Sequence, residues 1–285
     1  MTVLDTVAVD RTARKSRLRH YLMCPPTHFS VTYAINPWMN PDIPVNHDLA
    51  EIQWDVLRHT YLSLGHTVDL IDPEPGLPDM VFAANGGLVV GGRAYSAKFR
   101  YEQRQGESQA YRNWLKAAEI HAVDPIETNE GEGDFLTLGA MILAGSGFRT
   151  NISAHIEAAA AIDRPVVSLE LVDPRFYHLD TCLAVLDDGN GAAPADIAYY
   201  PAAFSPHSQR TLRDLFPNAV ICSEADALAF GLNAVSDGHH VVLPTAAIGL
   251  GEQLRGRGYN PVPVNLGELL KAGGSVKCCT LELHV

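Results

Sequence analysis

Apolar residues come in short β-like runs, paired and followed by one longer amphipathic stretch. Tyr21-Leu22-Met23 leads to Asn46–Leu64, where Leu49, Ile52, Val56 and Thr60 fall at helical spacing and Gly65 supplies a stop, and then to Thr67–Ile71. Met80–Ala83 and Gly87–Val90 precede a polar helix over Gln103–Ala118 and a strand at Ile120–Val123. Phe135–Leu138 and Met141–Ala144 are followed by a helix near Ser153–Ile162 and by Val166–Leu171. The next set is Leu179–Leu186, Ile197–Tyr200, a helix at Ser205–Phe216 and Ala219–Cys222. Asn233–Ser236, Val241–Pro244, a helix at Ala247–Arg257 and Val262–Asn265 form another, and Ser275–Leu283 adds a last strand. Strand, strand, helix, strand thus recurs five times with a period of roughly 45–55 residues, which predicts radial repetition instead of an open doubly wound sheet.

Polar residues foreign to a core keep one phase in this rhythm. Asn85, Asp134, His178 with Asp180, Asn233 and Cys278 accompany the first strand of successive units, and positions 85, 134, 178, 233 and 278 lie 49, 44, 55 and 45 residues apart. Singly, such an Asn or Asp is a turn residue and such a Cys a small hydrophobe. Equivalent positions of a radial repeat face one axis, so the shared phase predicts that these side chains converge.

Composition narrows the field. Hydrophobic residues make up 47% and charged residues 19% of 285, enough apolar content for a sizeable core in one domain spanning 1–285. A net charge of −12 disfavours nucleic acid and anionic lipid as partners and suits a small cation. The five cysteines form no C-x-x-C, and the twelve histidines form no H-E-x-x-H. We therefore expect reduced thiols, no metal and no cofactor. The first twenty residues carry no signal-peptide pattern and no apolar run is long enough to span a bilayer, so the expected location is cytoplasmic. Gly86-Gly87 and Gly91-Gly92 read as β-turns, not as a nucleotide-binding loop, and His239-His240 follows a hairpin turn at Asp237-Gly238.

Four segments, Pro78–Asn85 (PDMVFAAN), Glu130–Asp134 (EGEGD), Phe176–Asp180 (FYHLD) and Gly274–Thr280 (GSVKCCT), resemble the guanidino-group-modifying, or pentein, superfamily, in the same order and across nearly the whole chain. The resemblance implies a five-bladed α/β propeller and an enzyme whose cysteine attacks a guanidinium carbon. It makes Cys278 the nucleophile, His178 the acid and base, Glu130 the partner of His178, and Asp180 a ligand of the guanidinium. Glu132 is the alternative partner of His178, because the acidic motif is one residue longer than in deiminases. Arg149 in Gly145–Thr150 is the first candidate for the substrate's α-carboxylate. Arg104 is the second, with a surface charge at a helix start as its plainer reading. Asn36 resembles a substrate-lining residue of the dihydrolases, and Asp134 joins the binding set. Strand alternation would turn Cys279 away to pack. These residue types suit the chemistry: a planar, donor-rich cation wants carboxylates in its plane, and its poorly electrophilic carbon wants a thiolate.

Two departures sort the branches of that superfamily. Asp180 stands where dimethylargininases have Lys, which favours an unsubstituted guanidinium over a methylated one. Asn85 stands where deiminases and dimethylargininases have an acid, and its amide N–H₂ offers a donor to the ureido oxygen of a citrulline intermediate. The expected activity is hydrolysis of L-arginine to ornithine, ammonia and CO₂. Citrulline formation by a dimethylargininase or deiminase is the alternative; an amidinotransferase and a non-catalytic propeller stand further off. The reading leaves room for a homo-oligomer.

Overall fold

The computed structural model describes residues 14–189 and 194–284, so the leader reading of the first twenty residues falls largely outside the described residues. In chain order the elements are β1 (His20–Met23), α1 (His47–Ser63), β2 (Thr67–Leu70), β3 (Gly87–Val90), β4 (Arg93–Ser96), α2 (Glu102–Gln105), α3 (Glu107–Ala117) and β5 (His121–Val123). Next come β6 (Phe135–Leu138), β7 (Met141–Ser146), α4 (Ala154–Ile162), β8 (Val166–Glu170), β9 (Leu183–Asp187), β10 (Asp196–Tyr199), α5 (Pro206–Leu215) and β11 (Val220–Ile221). The last are α6 (Glu224–Leu228), β12 (Val235–Ser236), β13 (His240–Pro244), α7 (Ile248–Gly256), β14 (Asn260–Val264), α8 (Gly267–Leu270) and β15 (Leu281–His284).

One pairing rule runs through this α/β fold: a first strand pairs antiparallel with a second, and the second pairs parallel with a third. It holds for β3-β4-β5, β6-β7-β8, β9-β10-β11 and β12-β13-β14. The fifth group joins distant parts of the chain, with β15 antiparallel to β1 (Tyr21 opposite Glu282) and β1 parallel to β2. Because β15 also runs parallel to β3, two groups merge into the six-stranded sheet β2-β1-β15-β3-β4-β5. The local chemistry explains the rule. An antiparallel step needs only a tight turn, as at Gly91-Gly92, both at positive φ, whereas a parallel step needs a crossover. A helix fills each crossover: α1 between β1 and β2, α2 and α3 between β4 and β5, and α4, α5 and α7 in the other three.

Helix limits lie close to the predicted ones because the caps are written in the sequence. The Asn46 side chain accepts from Leu49 N to start α1, and Ser205 accepts from Ser208 N ahead of Pro206 in α5. The predicted Gln103–Ala118 helix is divided at Gly106. The buried face of α1 corrects the sequence reading: Ala50, Gln53, Trp54, Leu57 and Tyr61 point inward, while Leu49, Ile52 and Val56 are 38%, 60% and 49% exposed. Trp54 and Tyr61 fill the inner face with large rings, and Gln53 fits there because its side-chain oxygen accepts from Glu268 N. Among the described residues no helix is long and apolar enough to cross a membrane.

Three predicted strands are corrected in part. Met80–Ala83 is taken up by short 3-10 turns at Pro78–Val81 and Ala83–Gly86, and Leu179–Leu186 begins with one at Leu179–Thr181. Ser275–Leu283 becomes strand only from Leu281. In each, the apolar run continues through a turn that is buried all the same, so periodicity alone does not reveal the turn.

Candidate active site

The in-phase polar residues share a backbone device, a tight turn within three residues of the first strand of each group. Asn85 N donates to Phe82 O, Asp134 N to Gly131 O, Thr181 N to His178 O, Asn233 N to Phe230 O, and Cys279 N to Ser275 O. The turns interlock, as Ala84 N donates to Cys278 O at 3.0 Å and Leu179 N to the Asp134 carboxylate at 3.0 Å. Glycine permits the approach: a side chain at Gly133 would strike Asn85 and His178, and Gly131 takes φ +52° against the backbone of residues 84 and 87.

Cys278 is 2% exposed at the end of its turn. Its Sγ donates to Asp180 Oδ2 at 3.3 Å and accepts from Asn233 Nδ2 at 3.1 Å. Burial and the neighbouring Asp180 push the thiol well above its ordinary value. Burial also lifts Asp180, to about 7, against the pull of Lys277 and of the hydrogen bonds from Cys278 and Asn233. Its second oxygen, Oδ1, is buried without a partner. Cys279 is fully buried among α1 and its neighbours, and it is a turn, not strand alternation, that rotates it away from Cys278.

His178 is 1% exposed, and its Nε2 lies 2.8 Å from Glu130 Oε2. Glu130 Oε2 also accepts from Arg149 at 2.8 Å, and Oε1 accepts from Arg100 N at 3.2 Å. Burial opposes ionisation of Glu130, yet Arg149 and His178 outweigh it and hold the carboxyl well below its usual range. Glu132 is engaged elsewhere, by Lys277 and the Glu282 N–H, so the structure puts Glu130 and not Glu132 on His178. Tyr177 packs beside His178, with ring centroids 4.8 Å apart.

A narrow cleft opens onto Cys278, lined also by Asp79, Asn85, Arg104, Arg149 and Tyr177. Arg104 is no surface charge. It is 3% exposed and grips Glu107 with two nitrogens, Asn85 Oδ1 at 2.7 Å and Asp79 O at 3.2 Å. Arg149 lies over the rings of Tyr101 and Tyr177 at 4.7 Å and uses one N–H each on Glu130 and Ile35 O. Three of its five N–H groups stay uncommitted, against one for Arg104. Asn36 lines the cavity while its amide is spent on Ala272 O, Trp38 N and Met39 N. Asp134 is placed differently from its prediction: it holds Leu179 N, and so the turn carrying His178 and Asp180, and it does not line the cavity; nor do Glu130, His178 and Asp180, which connect to it through Arg149 and Cys278.

Sequence reasoning missed Asp79. It is 1% exposed, with one carboxylate oxygen taking the Tyr33 hydroxyl at 2.8 Å and the other, Oδ1, unpartnered. The signal was an acid just after Pro78 at the head of an apolar run, where a core-bound segment has no ordinary use for one.

No family profile matches the chain. It is 56% identical over 271 residues to a Mycobacterium tuberculosis protein named N(G),N(G)-dimethylarginine dimethylaminohydrolase, covering 95% of this chain and 88% of that one. It is 38% identical to the bifunctional arginine dihydrolase/ornithine cyclodeaminase AgrE of Nostoc sp., over 94% of this chain and 38% of that much longer one. The crystal structure of the N-terminal domain of ArgZ, bound to product, aligns at a TM-score of 0.88 and 37% identity, over 94% of this chain and 98% of that domain. Fold and relatives define a cysteine-dependent hydrolase of guanidino groups. The chain belongs to the guanidino-group-modifying superfamily, in the family that holds the dimethylarginine dimethylaminohydrolases and the arginine dihydrolases.

Proposed function

We propose that this protein is an arginine dihydrolase, built as one five-bladed propeller over residues 1–285 with the cavity at its axis. The observation that carries the reading is Asn85, an amide that lines the cavity beside Asp79, Arg104 and Arg149, with its oxygen taken by Arg104 and its N–H₂ left as the donor. L-Arginine binds with its α-carboxylate on Arg149, its α-ammonium on the free oxygen of Asp79, and its guanidinium on Asp180. The arriving cation lowers the thiol's pKa, and Cys278 releases its proton to solvent as the cation's charge takes that proton's place. The thiolate adds to the guanidinium carbon, and protonated His178 gives its proton to the departing ammonia. Now neutral, His178 takes a proton from water as that water adds, and collapse of the adduct expels the thiolate and leaves citrulline. Glu130 orients the imidazole and stabilises its cation throughout.

In the second round the Asn85 amide donates to the ureido oxygen and retains citrulline. Cys278 adds to the ureido carbon, a second ammonia leaves, and water releases a carbamate that decomposes to ornithine and CO₂. Identity of 38% and 37% to proteins named for arginine dihydrolysis supports this reading. The relative at 56% supports a second one, release of dimethylamine from dimethylarginine with citrulline as product. Incubation of the purified protein with each substrate in turn separates them. Ornithine with two ammonia per arginine is the expected outcome; dimethylamine from dimethylarginine with arginine untouched selects the second reading. Cys278→Ser is expected to abolish turnover of either substrate, and residual turnover would remove Cys278 from its role.

A further inference from the structure

Asn233 was visible in the sequence as one of the five in-phase polar residues, but the chemistry above makes no use of it. It is fully buried and does not line the substrate cavity. All its side-chain hydrogen bonds go to the nucleophile and its acid. Oδ1 accepts from Cys278 N at 3.1 Å, while Nδ2 donates to Cys278 Sγ at 3.1 Å and to Asp180 O at 3.1 Å. Its backbone carbonyl accepts from Lys277 N at 3.3 Å. The one residue therefore takes up two successive backbone N–H groups of the nucleophile's turn, touches the sulfur itself, and ties the turn to Asp180.

We propose that Asn233 is a catalytic residue, whose amide donor stabilises the Cys278 thiolate while its oxygen fixes the direction in which the sulfur points. An N–H aimed at sulfur gains strength when the sulfur becomes an anion, because a hydrogen bond to a charged group is worth more than one to a neutral group. The donor is fixed by the fold, because the oxygen of the same amide is held by a backbone N–H and the amide cannot turn over without losing both contacts. Asp180 works on the same sulfur in the opposite sense, since its negative charge opposes the thiolate until a cation arrives. The sulfur thus lies between a permanent donor and an acid that substrate neutralises.

The inference rests on Cys278 being the nucleophile, and the test reads the thiol without any substrate. Iodoacetamide alkylation of the free enzyme, located on Cys278 by peptide mass spectrometry and followed across pH, gives the apparent thiol pKa. In Asn233→Leu, which loses the donor without adding charge, that pKa is expected to rise by about 1–2 units. kcat is expected to fall about 10–100-fold while KM stays within about twofold, because the residue touches sulfur and not substrate. Asn233→Ala also removes the donor without adding charge, so it serves if the leucine variant fails to fold, and the same rise is expected there. A role in packing alone would lower thermal stability and leave the alkylation profile of the folded enzyme where it was; an unmoved profile in a folded variant overturns the proposal. Loss of Cys278 from the reaction would instead show as turnover in Cys278→Ser, a separate outcome.

Discussion

Asn85 is oriented before any substrate arrives. Arg104 donates to its oxygen, which leaves the N–H₂ turned toward Glu130 O at 3.2 Å, beside His178. Asparagine is isosteric with aspartate, so Asn85→Asp keeps the contact to Arg104 while it turns the donor into an acceptor and adds a negative charge. Ornithine formation is then expected to fall about 10–100-fold while citrulline accumulates, the cost of one hydrogen bond to a developing anion. Ornithine release at the parental rate, measured by amino-acid chromatography, would remove the amide from the second step. The five-fold phase made Asn85, His178, Asp180 and Cys278 legible in the sequence, because equivalent turns precede equivalent strands. Asp79 escaped because it lies six residues ahead of Asn85, outside that phase, and enters the cavity from a 3-10 turn. The Arg104 partnerships were beyond reach because a charge at a helix start looks solvated until its turn is folded back onto Asp79 and Asn85; Glu130 was paired with His178 through the resemblance alone, since nothing local distinguishes it from Glu132 until Lys277 claims the latter.

At the scale of an element, α1 shows what a helical stripe can and cannot say. Its period was readable and its cap was readable, but spacing alone does not choose between two stripes of similar hydropathy. The aromatic one wins because Trp54, Leu57 and Tyr61 pack against β14 and the segment that carries Cys279, and Tyr61 places its hydroxyl 2.9 Å from Thr280. Leu57→Ala is expected to cost about 2–5 kcal/mol by urea denaturation. Ile52→Gln and Val56→Gln should each stay within about 0.5 kcal/mol. Equal losses at Leu57 and Ile52 would mean that the outward stripe is also covered. The turns before β3, β9 and β15 were hidden for a related reason: apolar residues on both sides of a buried turn look like one strand.

Across the whole molecule, four buried carboxyls set a pH dependence. Glu107 and Asp180 are raised to about 7, Asp134 to about 6 and Asp79 above its ordinary value, each chiefly by burial. A carboxyl raised in the folded state holds its proton more tightly than in the unfolded chain, so its stabilisation is complete below the unfolded value and is lost as pH rises through the folded one. The melting temperature is therefore expected to fall by several degrees between pH 5 and pH 8. Glu130 has the opposite sign: it is depressed, so its contribution is present above the ordinary carboxyl range and lost in acid, below that window. Rising net negative charge adds to the same slope. Differential scanning calorimetry of Asp134→Asn separates the two, since a flatter dependence assigns the effect to buried acids and an unchanged slope assigns it to the overall charge of −12.

The fifth strand group is completed by β15, which inserts between β1 and β3 and carries Cys278 in the turn just ahead of it. A chain made from its N-terminal side thus displays Glu130, His178, Asp180 and Asn233 before the sulfur has emerged. The sulfur joins Asp180 and Asn233 only where β15 seats between β1 and β3, so closing the sheet and completing the cluster are one step of folding.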